Sequence, residues 1–274
     1  MRRLVVNADD LGVHPKIDEG VLLAAANGIV TSASVMVTGP NASEAVARAR
    51  AQKLGLGVHL CLTTHLEPAA PALSVRQLAP GGRFRKDWKE LTFAWLAGLI
   101  PLAEIERELY AQIDKARQLG FTPDHLDSHQ HFHLMPGLRA TVERIASDFN
   151  LPLRWPHERP ELKWFTKPGP ALKTALLEGL ALARPKPIAR RVSSYGIFDT
   201  NGLTEQKLCD RIRKLPEGDS EIFCHPGLHP GVIHLEPSWT YPWEQELAAL
   251  TSPSVRHVLE ENGVELTTYG KLAG

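Results

Sequence analysis

Leu4-Val5-Val6-Asn7-Ala8-Asp9-Asp10-Leu11-Gly12 opens on a β-branched run and closes on polar residues. A buried strand that runs out into a polar loop reads this way. The pattern recurs. Leu56 to Leu62 is an apolar strand interrupted by His59. His125 to His133 (His-Leu-Asp-Ser-His-Gln-His-Phe-His) follows the turn signal Gly120-Phe121-Thr122-Pro123, so it reads as a short strand entering a loop. Ser220 to Cys224 is a strand that stops at His225-Pro226-Gly227. Thr31–Val37, Leu151–Trp155, Val192–Tyr195 and Val264–Thr267 are further strand candidates. Helical patterns run from Pro15 to about Gly28, then over Asn41–Ala51, Lys86–Gly98, Pro101–Leu119, Gly137–Phe149, Ala171–Ala183, Thr204–Arg213 and Pro253–Asn262. Strands and helices therefore alternate. That favours parallel strands joined by right-handed helical crossovers, hence an α/β barrel or a doubly wound sheet. No repeat or linker divides the chain, so residues 1–274 read as one domain.

The chain is long enough, at 274 residues, to bury a sizeable core. Thirty-one Lys and Arg balance 31 Asp and Glu, which argues against duplex nucleic acid as a partner. The three cysteines lack paired spacing, so no disulfide framework is expected. No apolar run approaches a membrane span, and the one near the N-terminus is too short for a signal peptide. A cytoplasmic location follows as an expectation, and a homodimer is compatible with it.

Polar residues gather where the strands stop: Asp9-Asp10, His59, Asp127 to His129, and His225. In α/β barrels the active site lies at the carboxyl ends of the strands. Adjacent carboxylates such as Asp9 and Asp10 repel unless a cation or a proton sits between them; the structural alternative is an Asx turn. His59 alone would fit a satisfied core histidine, with Cys61 on its face of the strand as a small buried residue. His125, Asp127, His129 and His131 share one phase if the extension persists. One metal ligand, one orienting residue and one acid would use three of them. Pro226 holds His225 out of helical geometry at its strand end, and Cys224 beside it faces the opposite side.

Asn7-Ala8-Asp9-Asp10-Leu11-Gly12, Gly57-Val58-His59-Leu60 and His125 to His133 with Pro136 resemble the motifs of the YdjC-like carbohydrate deacetylases. That family includes the chitooligosaccharide deacetylases and a hopanoid-biosynthesis branch. The likeness runs in order to about Phe149, and Cys224-His225-Pro226-Gly227 is a later match. Leu11 stands where the family usually has phenylalanine. The resemblance implies an irregular, TIM-like (β/α) barrel related to polysaccharide deacetylases. It also implies a divalent metal on Asp10, His59 and His129, with Asp9 as catalytic base. His225 as the acid is a weaker carry-over, with His131 and His133 as alternatives.

The chemistry of that ligand set agrees. An acetamide is a poor electrophile and needs both a Lewis acid and an activated water. Two imidazoles and a carboxylate suit zinc, while magnesium, manganese and cobalt stay open. The expected substrate is an N-acetylated amino sugar, free or lipid-linked. The rival readings are a metal-dependent phosphoesterase on a similar barrel, which would want a second ion and a phosphate clamp, and a sugar-binding protein without turnover. Trp239 and Trp243, in the irregular stretch after His225, are the best placed of the six tryptophans to stack on sugar. Leu91 to Ile100 reads either as a buried helix or as a greasy surface.

Overall fold

The structure is a computed structural model and describes residues 1–156, 191–197, 202–229, 231 and 241–272. Among these, eight parallel strands form the sheet: β1 (Arg2–Leu11), β2 (Ser32–Val35), β3 (Gly55–Leu60), β4 (Leu126–Ser128), β5 (Leu153–Pro156), β6 (Arg191–Tyr195), β7 (Gly218–Cys224) and β8 (Val264–Leu266). Strands β1 to β7 pair in sequence order, and β1 joins both β2 and β7. The result is a closed seven-stranded barrel, not a doubly wound sheet. Strand β1 manages this by changing neighbours along its length. Its first residues pair with β8, Arg2 with Val264 and Leu4 with Leu266. Its later ones pair with β2, Asn7 with Ser32 and Leu11 with Val35.

The described helices are α1 (Pro15–Asn27), α2 (Ala42–Ala51), α3 (Trp88–Leu96), α4 (Leu102–Gln118), α5 (Arg139–Asp148), α6 (Glu205–Arg213), α7 (Trp243–Leu250), α8 (Pro253–Glu261) and α9 (Tyr269–Leu272). The stretch Ala171–Ala183, expected to be helical, lies outside the described residues. Helix α7 was not expected: the residues after Trp239 read as loop. Side-chain caps explain where α3 and α6 start. Asp87 Oδ1 accepts the N–H groups of Lys89 and Glu90 at 2.9 and 3.0 Å, and Thr204 Oγ1 accepts that of Lys207 at 3.3 Å.

The strands alternate, but the usual sense is inverted. Leu4, Val6 and Ala8 of β1, Val58 and Leu60 of β3, and Ile222 and Cys224 of β7 join the core packed around the barrel. The residues between them form one hydrogen-bonded polar cluster: Asn7, Asp9, Ser34, His59, Asp127, Arg154, Ser194 and Glu221, all buried. At the other end Val5, Val192, Tyr269 and Leu272 make a small separate core. Tyr269 stacks on His125 with ring centroids 4.0 Å apart. Gly57 makes room for that imidazole, since a Cβ there would lie 2.3 Å from it.

The long segment after β3 is fixed by α4. The inner face of that helix is Ile105, Leu109, Ile113 and Ala116, as its spacing predicts. Two acids on α4 then bind loop backbone. Glu108 accepts the N–H groups of Ala69 and Ala70, and Glu104 those of Gln77 and Leu78, each at 2.9 Å. Burial raises the Glu108 carboxyl above its ordinary range against these hydrogen bonds. Helix α3 is two-faced. Leu91 and Ala94 are buried, while Phe93 and Leu96 are 72% and 68% exposed, so only part of the apolar stretch is core.

Candidate active site

Asp9 and Asp10 come from the carboxyl end of β1. On a regular strand they would face opposite sides. The register shifts between Ala8 and Leu11, and Asp10 adopts a left-handed φ of 66°. That irregularity turns both carboxylates to the same site, a strained arrangement of the kind found where function needs it. His59 projects from β3, opposite Asp127 of β4 in the register. Beyond Ser128 the chain leaves the strand in a tight turn, His129–Leu134, with Gln130 and His131 at φ of 57° and 58°. The extension does not persist, so His129 and His131 are not aligned by strand phase. The turn brings His129 back over the barrel mouth.

Asp10 Oδ1 lies 3.1 Å from His129 Nδ1 and 3.4 Å from His59 Nε2. Asp127 Oδ1 is 2.8 Å from His59 Nδ1, which fixes the ring and leaves Nε2 facing Asp10. Among the described residues two groups have ligand atoms within 4.8 Å of one another: Asp10, His59, His129, and Asp9, His59, Asp127. The second is already filled. The Arg154 guanidinium lies 2.6 Å from Asp9 Oδ1 and 2.7 Å from Asp127 Oδ2, and its Nε and Nη2 also donate to Glu221. The first is the group that can take an ion, and its donors fit one.

The electrostatics agree. Burial would lower the His59 imidazole, but Asp127, Asp9 and Asp10 push it well above its ordinary 6.5. Burial would raise the Asp10 carboxyl, but His129 and His59 hold it well below its ordinary range. Such a pocket is rich in negative charge and favours cations, whether protons or a metal.

Both oxygens of Asp9 are gripped by Arg154, at 2.6 and 2.7 Å, and Asn7 Nδ2 donates to Oδ1 at 2.9 Å. On the open side His225, just beyond β7, brings Nε2 to 3.9 Å from Asp9 Oδ2. Its side chain is 16% exposed, so it stands at the mouth. His133 is fully buried on Ser128, and burial pushes its imidazole down to about 3, a neutral core residue. His131 packs against the Phe223 ring. Of the three histidines considered as acid, His225 faces Asp9. Cys61 bonds the Thr63 carbonyl and Cys224 the Asn7 carbonyl, and neither belongs to the donor groups.

Arg154 and Glu221 escaped the sequence reading. Each was a single charge inside a short apolar strand, which is itself the signal, because an unpaired charge does not stay buried. Trp243 is 4% exposed and packs against Gly227, so it does not offer a ring to sugar. Trp239 lies outside the described residues.

A family profile described as "YdjC-like protein" matches residues 3–261. A carbohydrate deacetylase of Geobacillus stearothermophilus is 31% identical, covering 98% of this chain and 97% of its own length. A chitooligosaccharide deacetylase of Serratia marcescens is also 31% identical, with 98% of each chain covered. Among solved structures, a putative cellobiose-phosphate cleavage protein from Enterococcus faecalis superposes with a TM-score of 0.78 at 28% identity, covering 100% of this chain and 99% of that one. No described helix is long and apolar enough to cross a membrane.

Proposed function

Since the chain belongs to the YdjC-like protein family, we propose that it is a metal-dependent hydrolase that removes the acetyl group from an N-acetylated amino sugar. The observation that carries the reading is the pairing of two things at one barrel mouth: a buried Asp10–His59–His129 donor group, and beside it Asp9, held by Arg154 and facing His225. The names of the deacetylase relatives support the acetyl group and the sugar.

Asp10, His59 and His129 would hold one divalent ion, zinc or magnesium foremost. Bound there, the ion would polarise the acetamide carbonyl and make water more acidic. Asp9 takes a proton from the attacking water as the new carbon–oxygen bond forms. The carbon–nitrogen bond then breaks, its electron pair stays on nitrogen, and protonated His225 gives that nitrogen a proton from Nε2. Acetic acid and the free amine leave. The proton on Asp9 passes to His225, 3.9 Å away, and restores both groups. Arg154 and Asn7 keep the Asp9 carboxylate aimed during the cycle. The role of Arg154 between Asp9 and Asp127 favours a single ion over the two that a phosphoesterase would use. All three cysteines are buried thiols, which fits a reducing, cytoplasmic setting. The substrate class spans free oligosaccharides and lipid-linked sugars.

Acetate release from N-acetylglucosamine oligomers and acetylated glycolipids tests the reading, with phosphate release and binding without turnover as the rival outcomes. Asp9→Asn should fold and keep its metal, but lose at least roughly 100-fold in kcat. A fully active variant would remove Asp9 from the role of base.

A further inference from the structure

Behind His225, away from Asp9, stands Glu246 of α7. It is 1% exposed. Its Oε2 accepts the backbone N–H of His225 at 2.6 Å, and its Oε1 accepts the Tyr241 hydroxyl at 2.5 Å. The same Tyr241 oxygen lies 3.1 Å from His225 Nδ1, with the rings tilted and their centroids 4.9 Å apart. One buried carboxylate thus grips both the backbone and, through a tyrosine, the ring of a single histidine.

A tyrosine hydroxyl has one proton. That proton is donated to Glu246 Oε1. The phenol oxygen is left as an acceptor toward His225. Only an Nδ1 that carries hydrogen can satisfy it.

Without that contact the ring has no fixed sense. A flip about its last torsion would put the Cε1–H where Nε2 faces Asp9, and a change of tautomer would move the lone pair from Nε2 to Nδ1. His225 is partly exposed, so packing alone does not prevent either. Among the described residues the groups that face it are Asp9 from β1, Phe223 from β7, Glu246 from α7 and Tyr241 just before it. Of these, Tyr241 alone presents a side-chain polar atom within hydrogen-bond distance of Nδ1 among the described residues.

We propose that Tyr241, locked by Glu246, is a positioning residue: it holds His225 in the tautomer with hydrogen on Nδ1, so that Nε2 is the nitrogen that exchanges protons with Asp9 and the departing amine. This rests on the deacetylase reading for its consequence and on the geometry alone for the tautomer. When Nε2 is unprotonated it faces Asp9 and receives the returning proton. When both nitrogens carry hydrogen, Nδ1–H is held by Tyr241, and Nε2–H is aimed at the mouth, where an amine would depart.

The test compares the whole enzyme with Tyr241→Phe, which keeps the ring and removes the hydroxyl. Two substrates separate positioning from general damage. An N-acetylglucosamine oligomer loses an amine that must be protonated, whereas 4-nitrophenyl acetate loses a phenolate that needs no proton. Tyr241→Phe should lower kcat on the oligomer roughly 10- to 100-fold with KM little changed, while the ester is spared. Equal losses on both substrates, or no loss on the oligomer, would overturn the proposal.

Histidine-selective nitrogen NMR gives the readout that does not depend on turnover. Neutral His225 should show hydrogen on Nδ1 in the wild type and a mixture in Tyr241→Phe; a wild type with hydrogen on Nε2 overturns the proposal even if the enzyme is active. If no oligomer is deacetylated but the tautomer shifts as described, the positioning stands and the substrate reading falls. Should Tyr241→Phe fail to fold, Glu246→Gln replaces it in the NMR measurement. There the same mixture is expected, and an unaltered tautomer counts against the lock.

Discussion

Arg154→Met is the substitution whose effect the structure sets most sharply. The guanidinium is fully buried and touches three carboxylates: Asp9 at 2.6 Å, Asp127 at 2.7 Å and Glu221 at 2.7 Å. Burial would lower its pKa, yet the three acids hold it well above its ordinary value. At an effective dielectric of about 20, one such pair is worth about 4 kcal/mol of gross attraction, so the three together reach about 12 kcal/mol. Desolvation of the guanidinium cancels much of that. What a truncation exposes is the other side: three carboxylates lose their shared counter-ion, and among the described residues His59 remains beside Asp127.

Breaking one buried pair costs about 3–5 kcal/mol, and three orphaned partners put Arg154→Met at or above the upper end. That is a large part of the roughly 5–15 kcal/mol a domain has in total. Urea unfolding followed by circular dichroism at neutral pH should show the midpoint collapse. The double variant Arg154→Met with Glu221→Met removes one of the orphans and should recover part of the loss. Acid should narrow the gap further. Burial raises the Asp127 carboxyl, but Arg154 and then His59 hold it far below its ordinary range. With Arg154 gone that carboxyl moves up, and protonation relieves the repulsion. A single variant within about 1 kcal/mol of wild type, or a double variant weaker than the single one, would refute the account of the barrel interior as a charge-balanced cluster.

His129→Ala should strip the ion from the purified protein; elemental analysis that finds it undiminished takes His129 out of the donor set. Asp18 is buried, accepting from Gly12 N at 2.6 Å and Asn41 Nδ2 at 2.5 Å, and burial lifts its carboxyl from 3.8 to about 6. Its folded value lies above its unfolded one, so its contribution to stability is full below pH 3.8 and is lost as pH rises through about 6, about 3 kcal/mol in all. Asp18→Asn should therefore gain on wild type between about pH 4 and about pH 7, and parallel stability curves would exclude this. Gly20→Ala places a Cβ 2.2 Å from the Gly227 Cα, where α1 crosses the turn after His225. Backbone has to move, so the expected result is a loss of roughly 1–3 kcal/mol in unfolding measurements together with lower kcat. A variant that matches wild type in both would show that the turn is slack.

The residues that make the site were legible one strand at a time. Asn7 and Asp9, Gly57 and His59, His125 and Asp127 alternate with apolar neighbours, and a period of two assigns them to one face without any structure. What the period could not say is that this polar face turns inward. A closed barrel buries both faces of its sheet, and only the pairing of β1 with β2 and β7 decides that the polar one lines the interior.

The same limit applies at the strand ends. Local sequence put Asp9 and Asp10 side by side but on opposite faces. It took a register shift and a left-handed residue to aim them together. Tyr241 and Glu246 meet His225 across 16 and 21 positions, and Arg154 meets Asp9 across 145. Residue type and spacing determine which groups can carry charge and which face of an element they share. Which of those groups balance one another inside the barrel is settled by distance in space, because the energy of a buried charge depends on partners that local sequence does not bring near.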